Sequence, residues 1–386
     1  MAEPRVVRWG RRLARDGVDL ALVTQGADLF YLTGSVQIGY LAVDGDGQSC
    51  YFVKRSLERA GQEARVKTRP MPALADLPSE LRGEGFASPA TVGLELDVIP
   101  AQLAERLARL FPGARVVDVG QSLREQRAVK EPGEIAAMRR ASEVWARGIA
   151  AAQTGLAAGM DEWTLMALVE GAMRRAGHQG FIPTRALNFH LHYGHALSGP
   201  HGGVASPFNG ATGGPGIHPA VAQGSAHRTI RAGEPVLLDY VGACDGYLFD
   251  GTRTLWLERL PDALSRAQDV ALSIYAQLLQ AGRAGVSPAS LWRLGRERAE
   301  RAGLIEHFQG YGADRVPFLG HGVGIELDEW PVLAERFDAP LVEGMTLAVE
   351  PKFVFPGLGA VGVESTCRVG PHGLEPLTSV PPSLQP

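Results

Sequence analysis

Residues 236–257 read VLLDYVGACDGYLFDGTRTLWL, and this stretch predicts the element around which the fold is organised. Two apolar runs surround the short segment GACDG, a composition typical of a β-hairpin with a tight turn. Each run carries one acid, Asp239 in the first and Asp250 in the second. A turn centred on residues 244–245 places the two acids directly opposite each other, and a type I′ turn on residues 245–246 makes them diagonal neighbours. Both registers place the two carboxylates on one face of the hairpin.

The two acids of the hairpin indicate a cation. A single aspartate in a strand is commonly an edge or turn residue, whereas two on one face favour metal binding or paired acid/base catalysis. Like charges a few Å apart in apolar strands are costly unless a partner neutralises them, and a divalent ion does this readily. We therefore interpret the hairpin as half of a metal site.

The composition describes a globular protein of two to three domains. The chain has 386 residues, of which 45% are hydrophobic and 21% charged, with a formal net charge of −4. This charge offers no electrostatic basis for binding nucleic acid or an anionic membrane. Cys50, Cys244 and Cys367 are widely spaced, which disfavours a disulfide framework or a thiolate zinc site. No signal-peptide core and no run of about 18 apolar residues occurs, so we expect a cytoplasmic protein.

The first part of the chain alternates helix and strand patterns, which predicts an α/β domain. Residues 5–16 carry apolar side chains at helical spacing, and residues 18–23 form an apolar strand pattern. The domain contains no phosphate-loop pattern and no clustered titratable groups, so we assign it packing and oligomer contacts. A charged segment that ends at Pro132 marks the boundary. We predict domains at residues 1–125 and 130–386.

Residues 188–224 are rich in glycine, proline and histidine and predict a long loop before the hairpin. No spacing among His190, His192, His195 and His201 suits tetrahedral ligation from one element. We therefore interpret this segment as a flexible wall of a binding site rather than as a metal site.

Three more candidate ligands follow the hairpin. His321 lies in FLGHGVGIELDEWP, Glu350 in MTLAVEP and Glu364 in GAVGVEST. The glycines around His321 lack the strand-to-helix context and the distal acid of a nucleotide-binding motif. We expect these glycines to let the backbone approach a metal closely, with His321 pointing inward.

The acids and the histidine together form a candidate two-metal site, made of Asp239, Asp250, His321, Glu350 and Glu364. Oxygen-rich ligation with one nitrogen suits Mn²⁺, Co²⁺, Fe²⁺ or Zn²⁺, and four carboxylates balance two divalent ions. Two ions about 3.5–4 Å apart activate a bridging water and polarise a carbonyl, which indicates hydrolysis. The prediction requires that the five side chains converge and that lysine or arginine side chains do not fill the cluster.

The motifs LDYVGACDGYLFDGTRT, GHGVGIELDEWP, GMTLAVEP and GAVGVEST resemble, in order and spacing, those of Xaa-Pro dipeptidases (prolidases), aminopeptidase P and methionine aminopeptidase, the M24 metallopeptidases. Together with RAVKEPGEIAAMRRAS they extend the resemblance over nearly the whole chain. The resemblance implies an α+β architecture, with a pita-bread catalytic domain preceded by a smaller α/β creatinase-like N-terminal domain.

The resemblance also implies roles for the candidate residues. Asp239 would chelate one metal ion, His321 and Glu350 the other, and Asp250 and Glu364 would bridge both. Glu350 would also take the proton from the attacking water. We therefore predict a dinuclear-metal hydrolase of Xaa-Pro dipeptides or related small peptides. Mn²⁺ or Co²⁺ are the expected ions, with Zn²⁺ or Fe²⁺ as alternatives, and a homodimer is expected from the resemblance alone.

The chain departs from the family pattern at positions that contact substrate in the family. Ala222 and Asp328 stand where the family usually has histidine, and Gly362 stands where it usually has arginine. We include Asp328 among the catalytic candidates and expect Asp328→His to change rate or substrate preference without changing metal content. Loss of a donor at an oxyanion site costs about 10²–10³ in rate. His218, His227 or the histidine-rich loop are candidates to replace the missing donors.

These departures leave other functions open. One alternative is an M24-fold enzyme that acts on a non-peptide small molecule, such as an ectoine-type hydrolase or a dimethylsulfoniopropionate lyase. Another is a non-catalytic binding homologue, and a third is a metal-free creatine-type hydrolase. The retained carboxylates disfavour the last two, because a protein without metal has no physical reason to keep four mutually repelling charges.

Overall fold

The computed structural model describes residues 3–71, 73–187 and 191–384. The chain forms two compact units. The first comprises Met1–Arg127 with Arg185–Leu187, and the second comprises Ala128–Thr184 with Asn188–Pro386. Among the described residues, no helix combines the length and the apolar character needed to cross a membrane.

The first unit is built on a mixed six-stranded sheet. Its strands are β1 (Leu20–Val23), β2 (Gly39–Asp44), β3 (Ser49–Val53), β4 (Lys67–Pro70), β5 (Thr91–Leu94) and β6 (Arg115–Asp118). The helices of this part of the chain are α1 (Arg5–Arg15), α2 (Gly26–Thr33), α3 (Leu57–Glu63), α4 (Leu77–Gly83), α5 (Ala101–Ala108) and α6 (Gly120–Ala128). The strand order is β4-β3-β2-β1-β5-β6, with β1 antiparallel to β2 and parallel to β5.

The predicted opening of the chain is confirmed. Helix α1 buries Val6, Trp9 and Leu13, the three positions that recur at helical spacing. All four residues of β1 are buried, as expected for the central strand of a covered sheet.

A buried cluster of ionisable side chains lies in this unit, so the prediction that it contains none is wrong. Asp28 in α2 is fully buried and binds Arg127 over 2.6 Å and Arg185 over 2.7 Å. Glu95, directly after β5, accepts hydrogen bonds from the backbone N–H groups of Thr24 and Gln25, directly before α2. Burial, and then the neighbouring Asp28 carboxylate, raise the pKa of Glu95 well above its usual value. These residues are too far apart in sequence for any local pattern to group them.

The second unit contains four long helices and three sheets. Its helices are α7 (Pro132–Gly155), α8 (Glu162–Arg175), α9 (Asp262–Ala281) and α10 (Pro288–Arg301). Its strands are β7 (Gly194–Ser198), β8 (Pro235–Cys244), β9 (Tyr247–Trp256), β10 (Phe318–Gly322), β11 (Glu329–Ala334), β12 (Thr346–Val349), β13 (Lys352–Phe355), β14 (Gly359–Gly362), β15 (Ser365–Val369) and β16 (Leu374–Pro376). The sheets are β7-β8-β9, β11-β10-β12-β15-β16 and β13-β14, all antiparallel.

The helices begin where capping chemistry predicts. Glu131 and Glu134 form a capping box at the start of α7, and Pro132 occupies its first turn. Ser287 caps α10 by accepting a hydrogen bond from the backbone N–H of Ser290. These local interactions explain why α7 and α10 begin where they do.

Strands β8 and β9 form the predicted hairpin, and its turn decides between the two registers. Asp245 and Gly246 have φ values of 52° and 78°, the left-handed values that a type I′ turn requires. Asp239 pairs with Thr252, which makes Asp239 and Asp250 diagonal neighbours on one face. The second of the two registers is therefore confirmed.

Residues 188–224 do not form one continuous loop. Strand β7 lies within this segment and pairs with β8, and Gly199–Gly203 form a short 3₁₀ helix. His190, one of the histidines of the predicted wall, lies outside the described residues. The pairing with β8 places His195 directly opposite Asp239.

Candidate metal centre

The five predicted ligands all line one cavity of about 370 Å³, and they reach it from several strands: Asp239 (β8), Asp250 (β9), His321 (β10), Glu350 (directly after β12) and Glu364 (directly before β15). Four of these side chains are buried, and Asp239 is 16% exposed. The structure thus brings together the residues that the sequence indicates as one set.

Backbone hydrogen bonds bring the hairpin to the larger sheet. The N–H of Glu364 donates to the carbonyl of Thr252 over 3.0 Å, and the N–H of Thr252 donates back over 3.3 Å. The N–H of Glu350 donates to the carbonyl of Leu319, which lies in β10 two residues before His321. These links join acids that are distant in the chain.

His321 is oriented by two backbone carbonyls. Its Nδ1 lies 3.0 Å from the Gly322 oxygen and 3.1 Å from the Leu327 oxygen. Carbonyl oxygens only accept hydrogen bonds, so Nδ1 carries a proton and Nε2 is the nitrogen left to bind an ion. Nε2 lies 3.7 Å from Asp250 and 3.8 Å from Glu350. This is the orientation of a metal-ligating histidine with its other nitrogen fixed by a carbonyl.

The glycines on both sides of His321 lie against the backbone of neighbouring strands. A Cβ on Gly320 would lie 2.1 Å from the carbonyl oxygen of Ala348, and one on Gly322 would lie 2.3 Å from the carbonyl oxygen of Trp330. These atoms belong to the neighbouring strands β12 and β11. The glycines let β10 approach the strands on both sides, and a close approach of this backbone to a metal stays a prediction.

A lysine that the sequence patterns did not indicate lies inside the cluster. The Nζ of Lys352 is 3.0 Å from Asp239, 3.0 Å from Glu350 and 2.9 Å from Glu364. The side chain is buried. The condition that lysine or arginine side chains do not fill the cluster is therefore met only in part, because Lys352 occupies the side of Asp239 while Asp250, His321 and Glu364 still form a group that could hold an ion.

The sequence contains a signal for Lys352 that could have been used. It stands two residues after Glu350 in a run of apolar residues, the same oddity that marks the acids. In the β13–β14 pair it lies opposite Gly362, and a Cβ on Gly362 would be 2.7 Å from the Cγ of Lys352. The glycine found where the family resemblance leads us to expect arginine therefore makes room for the lysine.

The pKa values of the cluster reflect burial and crowding. Burial lowers the pKa of Lys352, but Asp239, Glu350 and Glu364 together raise it well above its usual value. Burial, and then Glu364 and Asp239, raise the pKa of Asp250 well above its usual range. Burial raises the pKa of Glu364 to about 7 against the opposing effect of Lys352. Burial raises the pKa of Asp239, but Lys352, His195 and the hydrogen bonds from Lys352 and Thr252 together lower it below its usual value.

The residues present fit one divalent ion. Asp250, His321 and Glu364 each offer a ligand atom, and these atoms lie within 4.8 Å of one another. Within the described part of the chain, the buried Oδ1 of Asp250 has no hydrogen-bond partner. Two carboxylates and an imidazole suit Mn²⁺, Co²⁺, Fe²⁺ or Zn²⁺. A second ion on Asp239 does not fit in this arrangement, because Lys352 occupies that part of the cluster.

Two histidines of the long segment, His192 and His195, line the cavity. His195 lies beside Asp239. Its Nε2 lies 3.9 Å from Asp239 and, among the described residues, has no hydrogen-bond partner. Burial lowers the pKa of His195, which favours the neutral imidazole. The sequence analysis includes it in the histidine-rich loop that could supply the missing donors, but its place opposite Asp239 depends on the pairing of β7 with β8.

The other histidines considered as donors lie elsewhere. His201 binds Glu162 over 2.8 Å, and His227 stacks on Trp163 with ring centroids 5.5 Å apart. His218 accepts a hydrogen bond from a nearby backbone N–H. The lining of the cavity includes none of these three side chains.

Two of the positions that depart from the family pattern, Ala222 and Asp328, line the cavity. The Asp328 carboxylate is 47% exposed and lies 3.7 Å from Nδ1 of His321. The segment that carries Asp328 is held by Glu329, which accepts hydrogen bonds from two of its backbone N–H groups and forms a buried ion pair with Lys130 over 2.8 Å. Asp328 therefore has a defined place at the entrance side of His321.

Comparison with known proteins agrees with this geometry. The model of metallopeptidase family M24 matches residues 136–371, more than half of the chain, and the creatinase/prolidase N-terminal domain model matches residues 5–129. The chain belongs to metallopeptidase family M24, and its enzyme class is that of a peptidase.

Individual relatives are distant but extend over the chain. It is 24% identical over 376 residues to the Xaa-Pro dipeptidase of Pyrococcus furiosus, covering 97% of each chain. It is 28% identical over 294 residues to the putative dipeptidase YkvY of Bacillus subtilis, covering 76% of this chain and 72% of that one.

Solved structures share the architecture. The Xaa-Pro dipeptidase of Bacillus anthracis matches with a TM-score of 0.83 and 21% identity, covering 98% of both chains. The X-Pro aminopeptidase of Thermotoga maritima matches with a TM-score of 0.81 and 22% identity, covering 99% of both chains. The predicted fold class, a pita-bread catalytic domain preceded by a creatinase-like N-terminal domain, is confirmed.

Proposed function

We propose that this chain is a metal-dependent hydrolase that cleaves the amide bond of Xaa-Pro dipeptides or related small peptides. The observation that carries the proposal is the convergence of Asp250, His321 and Glu364 in a cavity within an M24 domain. The cavity volume lies in the range of small-molecule sites. The names of the relatives, Xaa-Pro dipeptidase among them, suggest the substrate class.

The proposed cofactor is Mn²⁺ or Co²⁺, with Zn²⁺ or Fe²⁺ as alternatives, held by Asp250, His321 and Glu364. Such an ion supplies Lewis-acid activation of water and of the substrate carbonyl. The carbonyls that fix Nδ1 of His321 keep its Nε2 available as a ligand atom.

The remaining cavity residues receive roles from their positions. Glu350, a buried carboxylate beside His321, is the proposed acceptor of the proton from the attacking water. His195 lines the cavity and has a buried Nε2 without a hydrogen-bond partner among the described residues, so it is the proposed hydrogen-bond donor to the substrate oxygen that becomes negative. The half-exposed Asp328 carboxylate is proposed to select substrates by attracting a positively charged group and repelling a carboxylate.

The test compares two histidine variants on Xaa-Pro dipeptides after chelation and reloading with Mn²⁺ or Co²⁺. His195→Ala is expected to lower kcat about 10²-fold or more, because it removes a donor at the reacting oxygen. His227→Ala is the matched control, because His227 lies on the exposed side of Trp163, away from the cavity. Its kcat is expected to equal that of the wild type.

Two results would contradict the proposal. Protein that binds the metal but releases no product from any Xaa-Pro dipeptide with either ion would exclude the proposed substrates. Equal kcat values for His195→Ala and the wild type would exclude the donor role of His195.

A second candidate is an M24-fold enzyme acting on a non-peptide small molecule. The observation that favours it is the position of Ala222 and Asp328 in the cavity lining, where they change the surface that a substrate meets. Product analysis separates the two, since a lyase yields an alkene without consuming water whereas an amide hydrolase consumes one.

Two further features remain predictions. A homodimer is expected from the family resemblance. A cytoplasmic location is supported by the three cysteines, all of which are free thiols. We also expect Asp328→His to leave metal content unchanged, because Asp328 is outside the group of candidate ligands.

A further inference from the structure

We propose that the ammonium group of Lys352 takes the place of one of the two divalent ions, so that the chain binds a single ion at Asp250, His321 and Glu364. The inference deepens the proposed metal-dependent function and rests on it. It also revises the roles implied by the family resemblance, because with one ion Asp250 and Glu364 are terminal ligands and do not bridge.

The oxygen atoms that a second ion would need already bind the lysine. Oδ2 of Asp239 and Oε2 of Glu364 lie 3.0 Å and 2.9 Å from Nζ. A second ion on these oxygens would have to displace the ammonium group, because both oxygens already accept hydrogen bonds from Nζ and two cations at one pair of oxygens repel each other. The Asp239 side of the cluster can therefore hold the lysine or an ion, but not both.

The hydrogen-bonding capacity of the lysine is fully used. An ammonium group has three N–H donors. In Lys352 these meet three carboxylate oxygens, one each from Asp239, Glu350 and Glu364, at 2.9–3.0 Å. The ammonium group of Lys352 therefore holds three carboxylates together, as a metal ion in the same place would.

The charge of the cluster also favours a single ion. Asp239, Asp250, Glu350 and Glu364 supply at most four negative charges. Two divalent ions beside the ammonium would overfill the cluster with five positive charges. One divalent ion with the ammonium carries three, which leaves the four carboxylates with one net negative charge.

The backbone and the opposite strand fix the direction of the lysine side chain. The N–H of Lys352 donates to Oε1 of Gln309 over 2.8 Å, and its carbonyl accepts from the N–H of Gln309 over 3.0 Å. Across the β13–β14 pair, Gly362 lacks the Cβ that would lie 2.7 Å from the lysine Cγ. The position of the ammonium is therefore built into the fold.

The other side of the cluster remains suited to an ion. Nε2 of His321 lies 3.7 Å from Asp250, and the buried Oδ1 of Asp250 has no hydrogen-bond partner among the residues described. A buried carboxylate oxygen without a partner is costly, and an ion bound there would satisfy it.

The experiment counts ions in the full chain without substrate. Chelated protein is equilibrated with excess Mn²⁺, freed of unbound ion and analysed for Mn²⁺ per chain by mass spectrometry and by electron paramagnetic resonance. The wild type is expected to hold one ion with the spectrum of an isolated Mn²⁺. Lys352→Ala is expected to hold two ions with the spectrum of a coupled pair. Lys352→Arg, which keeps the positive charge, is expected to stay at one.

The outcomes are decisive in either direction. Two ions in the wild type, or none at saturating Mn²⁺, would overturn the inference, as would a folded Lys352→Ala that still holds one. If Lys352→Ala does not fold, the ion count and spectrum of the wild type decide alone. Because no substrate is present, a failure to hydrolyse dipeptides leaves this count unaffected, and the two proposals fail separately.

Discussion

Thr252 holds one carboxylate of the cluster in place. Its hydroxyl donates to Oε2 of Glu364 over 2.6 Å, and the same oxygen accepts from Lys352. Thr252 is fully buried, so its hydroxyl has no alternative partner in water. A residue that orients a ligand without binding the ion is expected to affect metal affinity strongly.

Thr252→Val is therefore expected to weaken Mn²⁺ binding about 10–100-fold, because it removes the hydroxyl with little change in volume. Thr252→Ser keeps the hydroxyl and is the control, with affinity near that of the wild type. Isothermal titration with Mn²⁺ measures both. Equal affinities for the valine and serine variants would show that the hydrogen bond does not hold the ligand.

Glu95 links pH to the stability of the first unit. Folding raises its pKa, first by burial and then through Asp28, so the protonated form is favoured in the native state. Such a group contributes its full stability below the pKa of the unfolded chain, about 4.3, and loses it as the pH rises through the folded pKa. Ionised Glu95 would face the Asp28 carboxylate, which Arg127 and Arg185 keep charged.

Glu95→Gln is expected to gain stability relative to the wild type as the pH rises. The amide keeps an oxygen for the backbone N–H groups and can donate to Asp28 at every pH. The expected difference is about 1–3 kcal/mol between about pH 5 and about pH 9, the range typical of a buried polar group that loses its partner. Urea unfolding at the two pH values measures it, and Glu95→Ala, which loses the backbone contacts at both, is the control. A constant difference between Glu95→Gln and the wild type would contradict the protonated state.

At the scale of elements, the hairpin is positioned by its close contact with α7. A Cβ on Gly242 in β8 would lie 2.1 Å from the carbonyl oxygen of Ala141 and 2.9 Å from Cβ of Trp145. The indole of Trp145 in turn donates to the carbonyl of Gly251 in β9 over 3.0 Å. The glycine thus permits the distance between helix and hairpin that holds Asp239 and Asp250 in register.

Gly242→Ala is expected to destabilise the chain by about 1–3 kcal/mol, since the helix backbone must move to admit the methyl group. Gly133→Ala is the control, because it lies in the first turn of the same helix with no atom within 4 Å of the added Cβ. That change is expected to be neutral or to stabilise by up to about 1 kcal/mol. Thermal unfolding measures both, and equal midpoints for the two variants would contradict the packing argument.

Strand β7 could not be predicted from its own residues. Its sequence, GHALS, lies in a glycine- and histidine-rich region whose composition indicates a loop. The strand forms because β8 offers it an edge, and this pairing places His195 opposite Asp239. A strand whose stability comes from its neighbour has no signature in its own residues.

At the scale of the whole molecule, the candidate centre is built entirely within the second unit. The hairpin contributes Asp239 and Asp250, the five-stranded sheet contributes His321, and the connections around it contribute Glu350 and Glu364. The first unit has a separate sheet and a buried charged cluster of its own. The chemistry and the N-terminal cluster can therefore be altered independently by mutation.

The sequence by itself determined the hairpin, its acid pair and the later candidate ligands. These features depend on turn chemistry, on the two-residue alternation of strands and on acids placed in apolar runs, all of which are local. Asp245-Gly246 requires left-handed backbone, and that choice of turn also sets Asp239 diagonal to Asp250. Local rules were therefore sufficient for the hairpin and for its pair of acids.

Only the tertiary structure decided which cation lies among the acids. Lys352 reaches Asp239 across 113 positions of sequence, and His195 reaches the cavity through a strand pairing, so neither contact has a local pattern. The glycines near His321 likewise serve neighbouring strands that approach from elsewhere in the chain. Carboxylates attract any nearby cation. Whether an ammonium group or a metal ion binds them therefore depends on whether the tertiary structure brings a lysine side chain close enough.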